Sequence, residues 1–591
     1  MSHKLSKIKV INYKSIIEET FDFSDYTALV GYNNAGKSNI LSAIKWLLQG
    51  GSLDEESFCK TNTPITIEGV ISGITPDILS SVDTAHQTSI EPYIIAEELK
   101  IRRHQKIPKD KAINIKIEVF DGTEWRPNPS GIDNAIKSLF PEPIQIGAME
   151  NAEEDVSKPK AGTTIAKLLA EIIGPIETQY GTEVKEALTR VKGLLSADGD
   201  ARVEELTNFD TQVNSKIDSF FPGINIKIHI PTPELKEVFN KGTIKVYEEQ
   251  LLDGRDVSSL GRGAQRSIQM ALIQHLAELK RGGQTATTNT LLLIDEPELY
   301  LHPQAIEIVR DSLKKLSTQG YQVIFSTHSP MMVTSEDIAN TVLIRKDAAK
   351  GTHARKTLGS AITQIEANVT SQLELLFSLT NSSQVLFSEK IILAEGTTEK
   401  RILPAIVREV TGKTLGLHKC ALIQQGGVDN TKKSMDIFKI MDLPVKAVVD
   451  LDYAFRGAVN HGFLENTDTD IQACLKHLKE IAADKNIALE PGTNLPTKKH
   501  TDGTFGIRPS DAFEILASEK QIERNLKNIH DKLLLKNIWI WETGAIEKPL
   551  GLGSKSEKEW AQFCENLNKN KLEKTAADAT EITECITWLL L

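Results

Sequence analysis

The stretch YTALVGYNNAGKSNILSAIKWLLQ, residues 26–49, decides the fold of the first half of the chain. Its apolar start predicts a buried strand, and its end predicts an amphipathic helix. Between them, Gly31 to Ser38 fits the pattern G-x-x-x-x-G-K-[ST], which binds phosphate when it joins a strand to a helix. Backbone N–H groups and the helix N-terminus supply the positive potential. The residues predicted to bind ATP are Asn34, Gly36, Lys37, Ser38 and Asn39, with Ser38 also a ligand of Mg²⁺.

A second apolar strand ends in two carboxylates. It runs from Leu291 to Ile294 and is followed by Asp295 and Glu296. We predict that Asp295 holds the Mg²⁺ shell and that Glu296 polarises the attacking water. His328 ends a later strand pattern, and we predict that it senses the γ-phosphate. A purely structural histidine is the alternative.

The segment SSLGRGAQR, residues 258–266, lies between these motifs and just before a predicted helix. A serine and glycine helix start is common on its own. In this position it makes the chain resemble the ABC ATPase superfamily, in the branch of SMC, Rad50 and RecF-like proteins. The resemblance implies that Ser259, Gly261 and Gly263 complete the ATP site of a second subunit in a head-to-head dimer. The sequence of this segment differs from LSGGQ, the usual signature motif of the superfamily. The resemblance also implies that residues 298–302 lie at the dimer seam.

Composition places the chain among soluble proteins of two or three domains. Of its 591 residues, 40% are hydrophobic and 25% charged, and the net charge is −11. That charge argues against a uniformly basic surface but leaves room for a local basic groove. The five cysteines form no CxxC pair, which predicts a cytoplasmic protein without disulfides or structural zinc. Neither a signal-peptide core nor a membrane span is expected.

Two further strand patterns in the second half end in carboxylates. KIILAEGTTEK, residues 390–400, delivers Glu395 and Glu399, and AVVDLD, residues 447–452, delivers Asp450 and Asp452. Four carboxylates at the ends of neighbouring strands cannot all stay ionised without a cation. Ligands that are all oxygen suit Mg²⁺ or Mn²⁺. The sequence therefore predicts a metal site here.

This acidic pattern resembles the Toprim domain of topoisomerases, primases and nucleases. An ABC ATPase followed by a Toprim domain resembles the OLD (overcoming lysogenization defect) family of nucleases, over most of the chain. Relatives include the nuclease subunit of Gabija anti-phage systems and effectors of some retrons. The resemblance implies that Glu395, Asp450 and Asp452 bind one metal and Glu399 a second. Two such metals stabilise the attacking water and the leaving oxygen.

Two later segments, RPSDAFE at 508–514 and GAIEK at 544–548, resemble further family motifs. The resemblance implies that Asp511 and Glu547 complete the second metal shell and that Lys548 stabilises the pentacovalent phosphate. Purely structural roles are the alternative for these residues. The short basic stretch 498–500 either contacts the DNA backbone or is simply solvated.

The expected fold class is α/β: an ABC-type (SMC/Rad50-like) ATPase with a helical insertion, followed by a Toprim domain. The insertion is predicted to dimerise, because its apolar stripe is long and the ATP site needs a second subunit. Strand patterns return at 225–230 and 243–249. The predicted ranges are 1–154 and 221–380 for the ATPase, 155–220 for the insertion, 385–555 for the Toprim domain and 556–591 for a helical tail.

The sequence favours an ATP-binding and ATP-hydrolysing, divalent-metal-dependent DNA endonuclease of bacterial anti-phage defence, because the acidic set is intact. The alternative is a RecF-like or SMC-like ATPase that clamps DNA and uses the Toprim unit as a scaffold. A topoisomerase would need a tyrosine in a separate DNA-gate domain, and a primase a polymerising context. The expected partners are double-stranded DNA, a second copy or higher oligomer, and a helicase or a reverse transcriptase with its RNA/DNA.

Overall fold

The computed structural model describes most of the chain. The described residues are 3–140, 143–147, 163–234, 237–238, 242–248, 253–282, 290–334, 336–355 and 384–591. Of the predicted domain ranges, the segments 148–162 and 356–383 lie outside these residues. No helix within the described residues is long and apolar enough to span a bilayer.

The first half is built on one 13-stranded sheet with a parallel and an antiparallel side. The parallel strands are, in spatial order, Val342–Asp347, Tyr26–Val30, Tyr321–Thr327, Thr290–Asp295 and Ile144–Ile146. The antiparallel strands continue from Val342–Asp347 in the order Gly351–Ala354, Ile16–Asp22, Lys4–Tyr13, Ile65–Ser72, Glu98–Gln105, Ile117–Phe120 and Trp125–Pro127, with Ile94–Ile95 paired to Glu98–Gln105. The carboxyl ends of the parallel strands share one edge, where the predicted ATP-site residues lie.

Helices cover this sheet and extend from it. They are Lys37–Gln49, Pro76–Ser80, Thr84–Ile90, Ile132–Leu139, Thr164–Leu195, Glu204–Ile217, Arg262–Gly282 and Pro303–Ser317. Thr164–Leu195 is 32 residues long, contains Pro175 and lies against Arg262–Gly282. The helices Thr164–Leu195 and Glu204–Ile217 fall within the predicted insertion, and its role in dimerisation stays a prediction.

Of the two strand patterns that follow the insertion, the first was predicted wrongly and the second is confirmed in part. Residues 225–230 form no strand, although Ile alternates along them. The N–H of Ile226 donates to Asn214 Oδ1 at 2.8 Å, so a helix side chain takes the hydrogen bond that a strand partner would take. In the second pattern, residues 243–249, the described residues 243–248 contain the short strand Lys245–Val246.

The second half contains a separate four-stranded sheet whose strands are all parallel. In spatial order they are Cys420–Gln424, Lys390–Ala394, Val445–Val449 and Ile538–Ile540. A two-stranded hairpin pairs Ala488–Leu489 with Pro496–Thr497. The helices are Thr397–Thr411, Thr431–Ile440, Asp452–Phe455, Gly457–Asn460, Thr469–Ile481, Pro509–Ala517, Glu523–Leu534, Glu547–Leu550, Glu557–Lys569, Leu572–Thr575 and Ala579–Leu590.

The C-terminal helices are part of this second core. Phe563 and Ile582 are buried in the same cluster as Ile392 and Ile402, which belong to the sheet and its first helix. The Lys390 ammonium donates to the carbonyl of Leu590 at 2.6 Å. Truncating these helices would therefore expose the sheet that carries the acidic residues.

The two sheets are joined by buried contacts. Arg345, on an edge strand of the parallel side, donates to the carbonyls of Leu386 at 3.1 Å and Ser388 at 2.9 Å. Burial lowers the pKa of the Arg345 guanidinium to about 10. At this junction Lys419 lies over the ring of Tyr32, which belongs to the phosphate-binding loop.

Candidate functional site

The first cluster of functional residues surrounds the loop between Tyr26–Val30 and Lys37–Gln49. Gly36 has a φ of 103°, and a Cβ there would lie 2.2 Å from Thr352 Oγ1, so only glycine fits. A cavity of about 400 Å³ opens beside this loop. It is lined by Asn33, Asn34, Gly36, Lys37, Ser38, Asn39, Glu296, Leu299 and His328. The structure thus brings together all the loop residues that the sequence pointed to, together with Glu296 and His328.

Lys37 and His328 meet Glu296 inside this cavity. The Lys37 ammonium donates to the Gly31 carbonyl at 3.0 Å and lies 2.8 Å from His328 Nε2. The same Nε2 lies 3.0 Å from Glu296 Oε1. The hydrogen bond from His328, together with the charge of Lys37, holds the pKa of the Glu296 carboxyl below its ordinary value. Burial lowers the pKa of Lys37 to about 8, against the opposing charges of Glu296 and Asp295.

The backbone of Glu296 is strained and held from two sides. Its φ is 49°, in the left-handed region that residues other than glycine rarely adopt. The buried guanidinium of Arg266 donates to the carbonyls of Asp295 at 3.2 Å and Glu296 at 3.0 Å. Ser326 contacts Asp295 through a short hydrogen bond to Oδ1. Asp295 and Glu296 therefore leave the strand in a fixed orientation.

Glu298 holds the backbone around His328. Its Oε1 accepts from Thr327 Oγ1 at 2.6 Å and from the N–H groups of His328 at 2.8 Å and Ser329 at 3.2 Å. Burial raises the pKa of the Glu298 carboxyl. The sequence pattern assigned Glu298 only to a dimer seam, whereas the structure makes it an anchor of the histidine.

The predicted signature residues lie away from the chain's own phosphate-binding loop. Ser259 and Gly261 are exposed, and the Ser259 hydroxyl donates to the Asp256 carbonyl. Gly263 packs closely in its own subunit, because a Cβ there would lie 2.8 Å from the Tyr300 carbonyl oxygen. Their predicted contact with a nucleotide in a second subunit is untested by a single chain.

Sequence reasoning missed Ser15 and Thr352 at this site. Asn39 Nδ2 donates to Ser15 Oγ at 2.7 Å, and Ser15 Oγ lies 2.7 Å from Thr352 Oγ1. Thr352 donates in turn to the Ala35 carbonyl at 2.8 Å. The network ties both ends of the phosphate-binding loop to the strand Gly351–Ala354. No local motif marks Thr352, which lies far along the chain from the loop.

The second cluster of functional residues lies at the carboxyl edge of the four-stranded sheet. Lys390–Ala394 delivers Glu395, and Val445–Val449 delivers Asp450 and Asp452, because these strands are parallel neighbours. Glu399 lies in the first turn of the helix Thr397–Thr411, where its side chain caps the Gly396 N–H at 3.1 Å.

Hydrogen bonds interlock these carboxylates. Glu395 Oε2 accepts from the Asp450 N–H at 2.9 Å, and Asp450 Oδ1 accepts from the Ile546 N–H at 3.3 Å. Glu547 Oε1 accepts from the hydroxyl of Thr398, the neighbour of Glu399, at 2.7 Å. The structure therefore brings the predicted ligand Glu547 to the same place as the four acids.

Burial gives this cluster its electrostatic character. It raises the pKa of the Glu395 carboxyl to about 7, and the charges of Asp452 and Glu399 add to the rise. It also raises the pKa of Glu399 and, well above the ordinary value, that of Asp450, where Glu395 contributes further. Burial raises the pKa of the Asp452 carboxyl as well. Like charges in a dry site favour protons or bound cations.

Lys555 is the functional residue that sequence reasoning missed in this cluster. Its ammonium lies 3.5 Å from Asp450 Oδ2 and 3.3 Å from Glu547 Oε2. Burial opposes its positive charge, but the carboxylates of Asp450 and Glu547 outweigh burial and raise the pKa of Lys555. The side chain is 62% exposed, so its position is adjustable. The sequence signal for this lysine is weak: it ends the stretch GLGSK, residues 551–555, which has the composition of a glycine-rich turn.

Two predicted residues are placed elsewhere. Lys548 forms an ion pair with Glu514 at 3.0 Å, and Asp511 forms one with Arg508 at 3.0 Å. Within the described residues, neither forms a hydrogen bond or ion pair with the four acids. Asp511 lies in the first turn of a helix with Arg508 at its N-cap, a spacing that favours this local pair. In the structure it is Lys555 that pairs with Asp450 and Glu547, and the predicted role of Lys548 stays a prediction.

The chemistry of the acidic cluster fits a hard divalent cation. Its donors are all carboxylate oxygens, and Asp452 Oδ1 is buried without a hydrogen-bond partner. In the described part of the chain, no three side chains converge to a ready-made ligand shell. The reason is visible in the contacts, since Glu395 and Asp450 direct oxygens at backbone N–H groups instead.

A phosphate-binding parallel sheet joined to a second parallel sheet that ends in buried carboxylates defines an ATPase with an attached TOPRIM domain. The family model "AAA domain, putative AbiEii toxin, Type IV TA system" matches residues 26–333. The model "Overcoming lysogenization defect protein-like, TOPRIM domain" matches residues 386–452. The chain belongs to the OLD nuclease family: it is 38% identical over 595 residues to the Old nuclease of Escherichia phage P2, covering 100% of both proteins.

Other similarities are more distant. The Endonuclease GajA of Bacillus cereus is 23% identical over 437 residues, which cover 69% of this chain and 68% of that protein. Among solved structures, an SMC head bound to the C-terminal winged-helix domain of ScpA covers 61% of this chain and 99% of its own, with 17% identity and a TM-score of 0.36. The chain is a nuclease of mixed α/β fold with an ATPase domain followed by a TOPRIM domain.

Proposed function

We propose that this chain is an ATP-hydrolysing, divalent-metal-dependent endonuclease that cuts DNA, and that it serves bacterial defence against phage. One observation carries the proposal. Five buried or half-buried carboxylates and one lysine meet at the edge of the four-stranded sheet, and one carboxylate oxygen, Asp452 Oδ1, is buried without a hydrogen-bond partner. A scaffold for DNA clamping has no use for such an electrostatically costly cluster.

Each acidic residue takes a role from its position. Glu395, Asp450 and Asp452 would hold one Mg²⁺ or Mn²⁺, and Glu399 with Glu547 a second. When bound, these ions supply Lewis-acid chemistry for phosphodiester hydrolysis.

Lys555 would act on the phosphate itself. Its ammonium lies between Asp450 and Glu547 and would stabilise negative charge on a non-bridging oxygen as that charge develops. The exposed side chain can turn from the carboxylates to the phosphate without backbone movement.

The nucleotide site supports ATP hydrolysis by the same kind of reasoning. Lys37 and the loop N–H groups would hold the phosphates, and Ser38 with Asp295 would hold Mg²⁺. The lowered pKa of Glu296 keeps it ionised at neutral pH, as a base for the attacking water requires. His328 contacts Glu296, so it would couple binding of the γ-phosphate to the position of that carboxylate.

We also propose that two chains associate head to head. The exposure of Ser259 and Gly261 supports this, because they would otherwise be a signature motif without a nucleotide. The relationship to the phage P2 Old nuclease and to GajA supports the role in phage defence. A helicase, or a reverse transcriptase with its RNA/DNA, is the kind of partner that we infer for such a system.

The experiment that tests this function measures cutting of supercoiled plasmid DNA with Mg²⁺ or Mn²⁺. The wild-type chain should nick or linearise the plasmid, and Asp450→Asn with Asp452→Asn should slow cutting at least about a hundredfold, because the metal loses its ligands. Asp429→Asn with Asp531→Asn, two exposed acids of the same domain, serves as the matched control. Cutting at an unchanged rate in the Asp450/Asp452 variant would sink the assignment. ATP-dependent retention of uncut DNA by the wild type would favour the clamp.

A further inference from the structure

A basic hairpin, residues 498–506, is anchored at both ends to elements next to the acidic cluster and has no role in the site described so far. Its first arm follows Pro496, whose carbonyl accepts a hydrogen bond from the Arg456 guanidinium at 3.1 Å. Arg456 lies about one helical turn after Asp452 in the sequence. Its second arm leads into the helix Pro509–Ala517, whose Glu514 pairs with Lys548. Both ends of the hairpin are therefore tied to elements that carry or adjoin the acids.

The backbone of the basic hairpin is held by hydrogen bonds between its two arms. The Gly506 N–H donates to the Lys498 carbonyl at 3.2 Å, and the His500 N–H donates to the Thr504 carbonyl at 2.8 Å. Gly503 closes the turn with a φ of 90°. At the base, a Cβ on Gly506 would lie 2.8 Å from the Ala488 nitrogen, so the hairpin packs directly on the neighbouring strand. These hydrogen bonds and this packing define where the side chains near the tip of the hairpin lie.

That position leaves an aromatic ring in solvent. Phe505 is 71% exposed, and the Lys499 ammonium lies 4.9 Å from the ring centroid. Leaving such a ring in water forfeits the gain that burial would give. Within the described residues, no carboxylate lies within 4 Å of the Lys498 or Lys499 ammonium, whereas Arg508 and Lys548 nearby are paired with acids.

We propose that the basic hairpin holds the DNA strand next to the cut. Lys498 and Lys499 contact backbone phosphates, and Phe505 stacks on a base that is exposed where the duplex opens. This proposal rests on the proposed nuclease function and names the surface that brings its substrate to the acids. Interleaved cations and a stacking ring match single-stranded nucleic acid chemically, and local cations matter in a chain of net charge −11.

The test uses the full chain with Asp450→Asn and Asp452→Asn, so that DNA is bound without being cut. The probes are a blunt oligonucleotide duplex and the same duplex with a single-stranded overhang carrying 2-aminopurine. Phe505→Ala should weaken binding to the overhang duplex about tenfold or more and abolish quenching of 2-aminopurine. Phe505→Trp should preserve both signals, and Phe505→Leu should behave like Phe505→Ala, because stacking requires an aromatic ring.

The lysines are tested by salt dependence. Lys498→Ala with Lys499→Ala should weaken binding to both duplexes and reduce the slope of log affinity against log salt by about one to two. The control for Phe505→Ala is Leu535→Ala, which removes another apolar side chain that is 85% exposed. The control for the two lysines is Lys476→Ala with Lys479→Ala, on an exposed helix face. None of these should change binding.

Two results would overturn the proposal about the hairpin. One is equal affinity of the Phe505→Ala and parent chains for the overhang duplex, and the other is 2-aminopurine fluorescence that does not change on binding. Wild-type cutting of plasmid DNA is measured in parallel. If the wild type cuts and the Phe505→Ala chain binds normally, only the hairpin proposal fails. If the wild type leaves DNA intact, the nuclease assignment itself fails.

Discussion

The ATP site and the acidic cluster begin from the same structural element and reach opposite electrostatic states. In each, a buried parallel strand ends in two closely spaced carboxylates, as at Asp295 with Glu296 and at Asp450 with Asp452. At the ATP site, hydrogen bonding from His328 lowers the pKa of Glu296. At the acidic cluster, burial raises the pKa of Glu395 to about 7.

The difference lies in the cations that surround the strand ends. His328 contacts Glu296 directly, Lys37 contacts His328, and Arg266 holds the Glu296 carbonyl, so the protein itself organises the carboxylate that we propose as the base. At the acidic cluster, among the residues that the structure describes, a single ammonium, that of Lys555, pairs with the carboxylates. We infer from this contrast that a strand-end carboxylate pair serves as a base where the protein supplies cations and as a metal holder where it does not.

The largest effect should come from removing the cation that organises the ATP site. Lys37→Ala should lower the rate of ATP hydrolysis by about a thousandfold, because the side chain that is placed to hold the phosphates and contacts His328 is lost. The rise in melting temperature on adding Mn²⁺ should be unchanged, since the acidic cluster is intact. Lys45→Ala, exposed on the same helix, is the matched control. Hydrolysis at the wild-type rate would show that the strand-end site does not bind ATP in this way.

A smaller effect should separate the two lysines near the acidic cluster. Lys555→Ala should slow DNA cutting by about a hundredfold, because it removes the ammonium that pairs with both Asp450 and Glu547. Lys548→Ala should change the rate only a few-fold, since Lys548 is paired with Glu514. Initial cutting rates across a Mn²⁺ titration measure both, with the exposed Lys558→Ala as control. A larger loss for Lys548 than for Lys555 would restore the assignment made from the sequence motif.

Much of both sites could be predicted from the sequence because their residues follow strands directly. Gly36 and Lys37 sit in a contiguous motif, and Glu395 and Asp450 each end an apolar run. Parallel pairing then fixes which edge they share. The class of ATPase and the TOPRIM domain followed from these local patterns.

The remaining residues are brought in by contacts that no local pattern encodes. Thr352 reaches the phosphate-binding loop only because its strand pairs with Ile16–Asp22. Lys555 and Lys548 are both cations near Glu547, and only the turn after the short helix Glu547–Leu550 decides which one faces the acids. The strand predicted at 225–230 failed because a helix side chain, Asn214, takes its backbone hydrogen bond.

The smallest and most discriminating effect is on stability as the pH changes, where the two sites should differ in sign. In the folded, metal-free chain burial raises the pKa of Glu395 to about 7, so the folded state keeps a proton that the unfolded chain releases. The stability from this group is present below its ordinary pKa and is lost as the pH rises through about 7. Glu395→Gln should therefore match the wild type near pH 5 and exceed it near pH 8, by at most about 3 kcal/mol.

Glu296→Gln supplies the opposite case. The pKa of Glu296 is lowered in the folded chain, so its charge contributes stability above the ordinary pKa, and the contribution is lost as the pH falls through the lowered value. This variant should be less stable than the wild type at neutral pH. Urea unfolding of the three chains in EDTA, at several pH values between about 5 and 8, measures both differences. Saturating Mn²⁺ should reverse the ranking of wild type and Glu395→Gln near pH 8, because bound cations require the ionised carboxylate. If the two variants shifted in the same direction, the contrast between a base organised by cations and a holder that lacks them would be wrong.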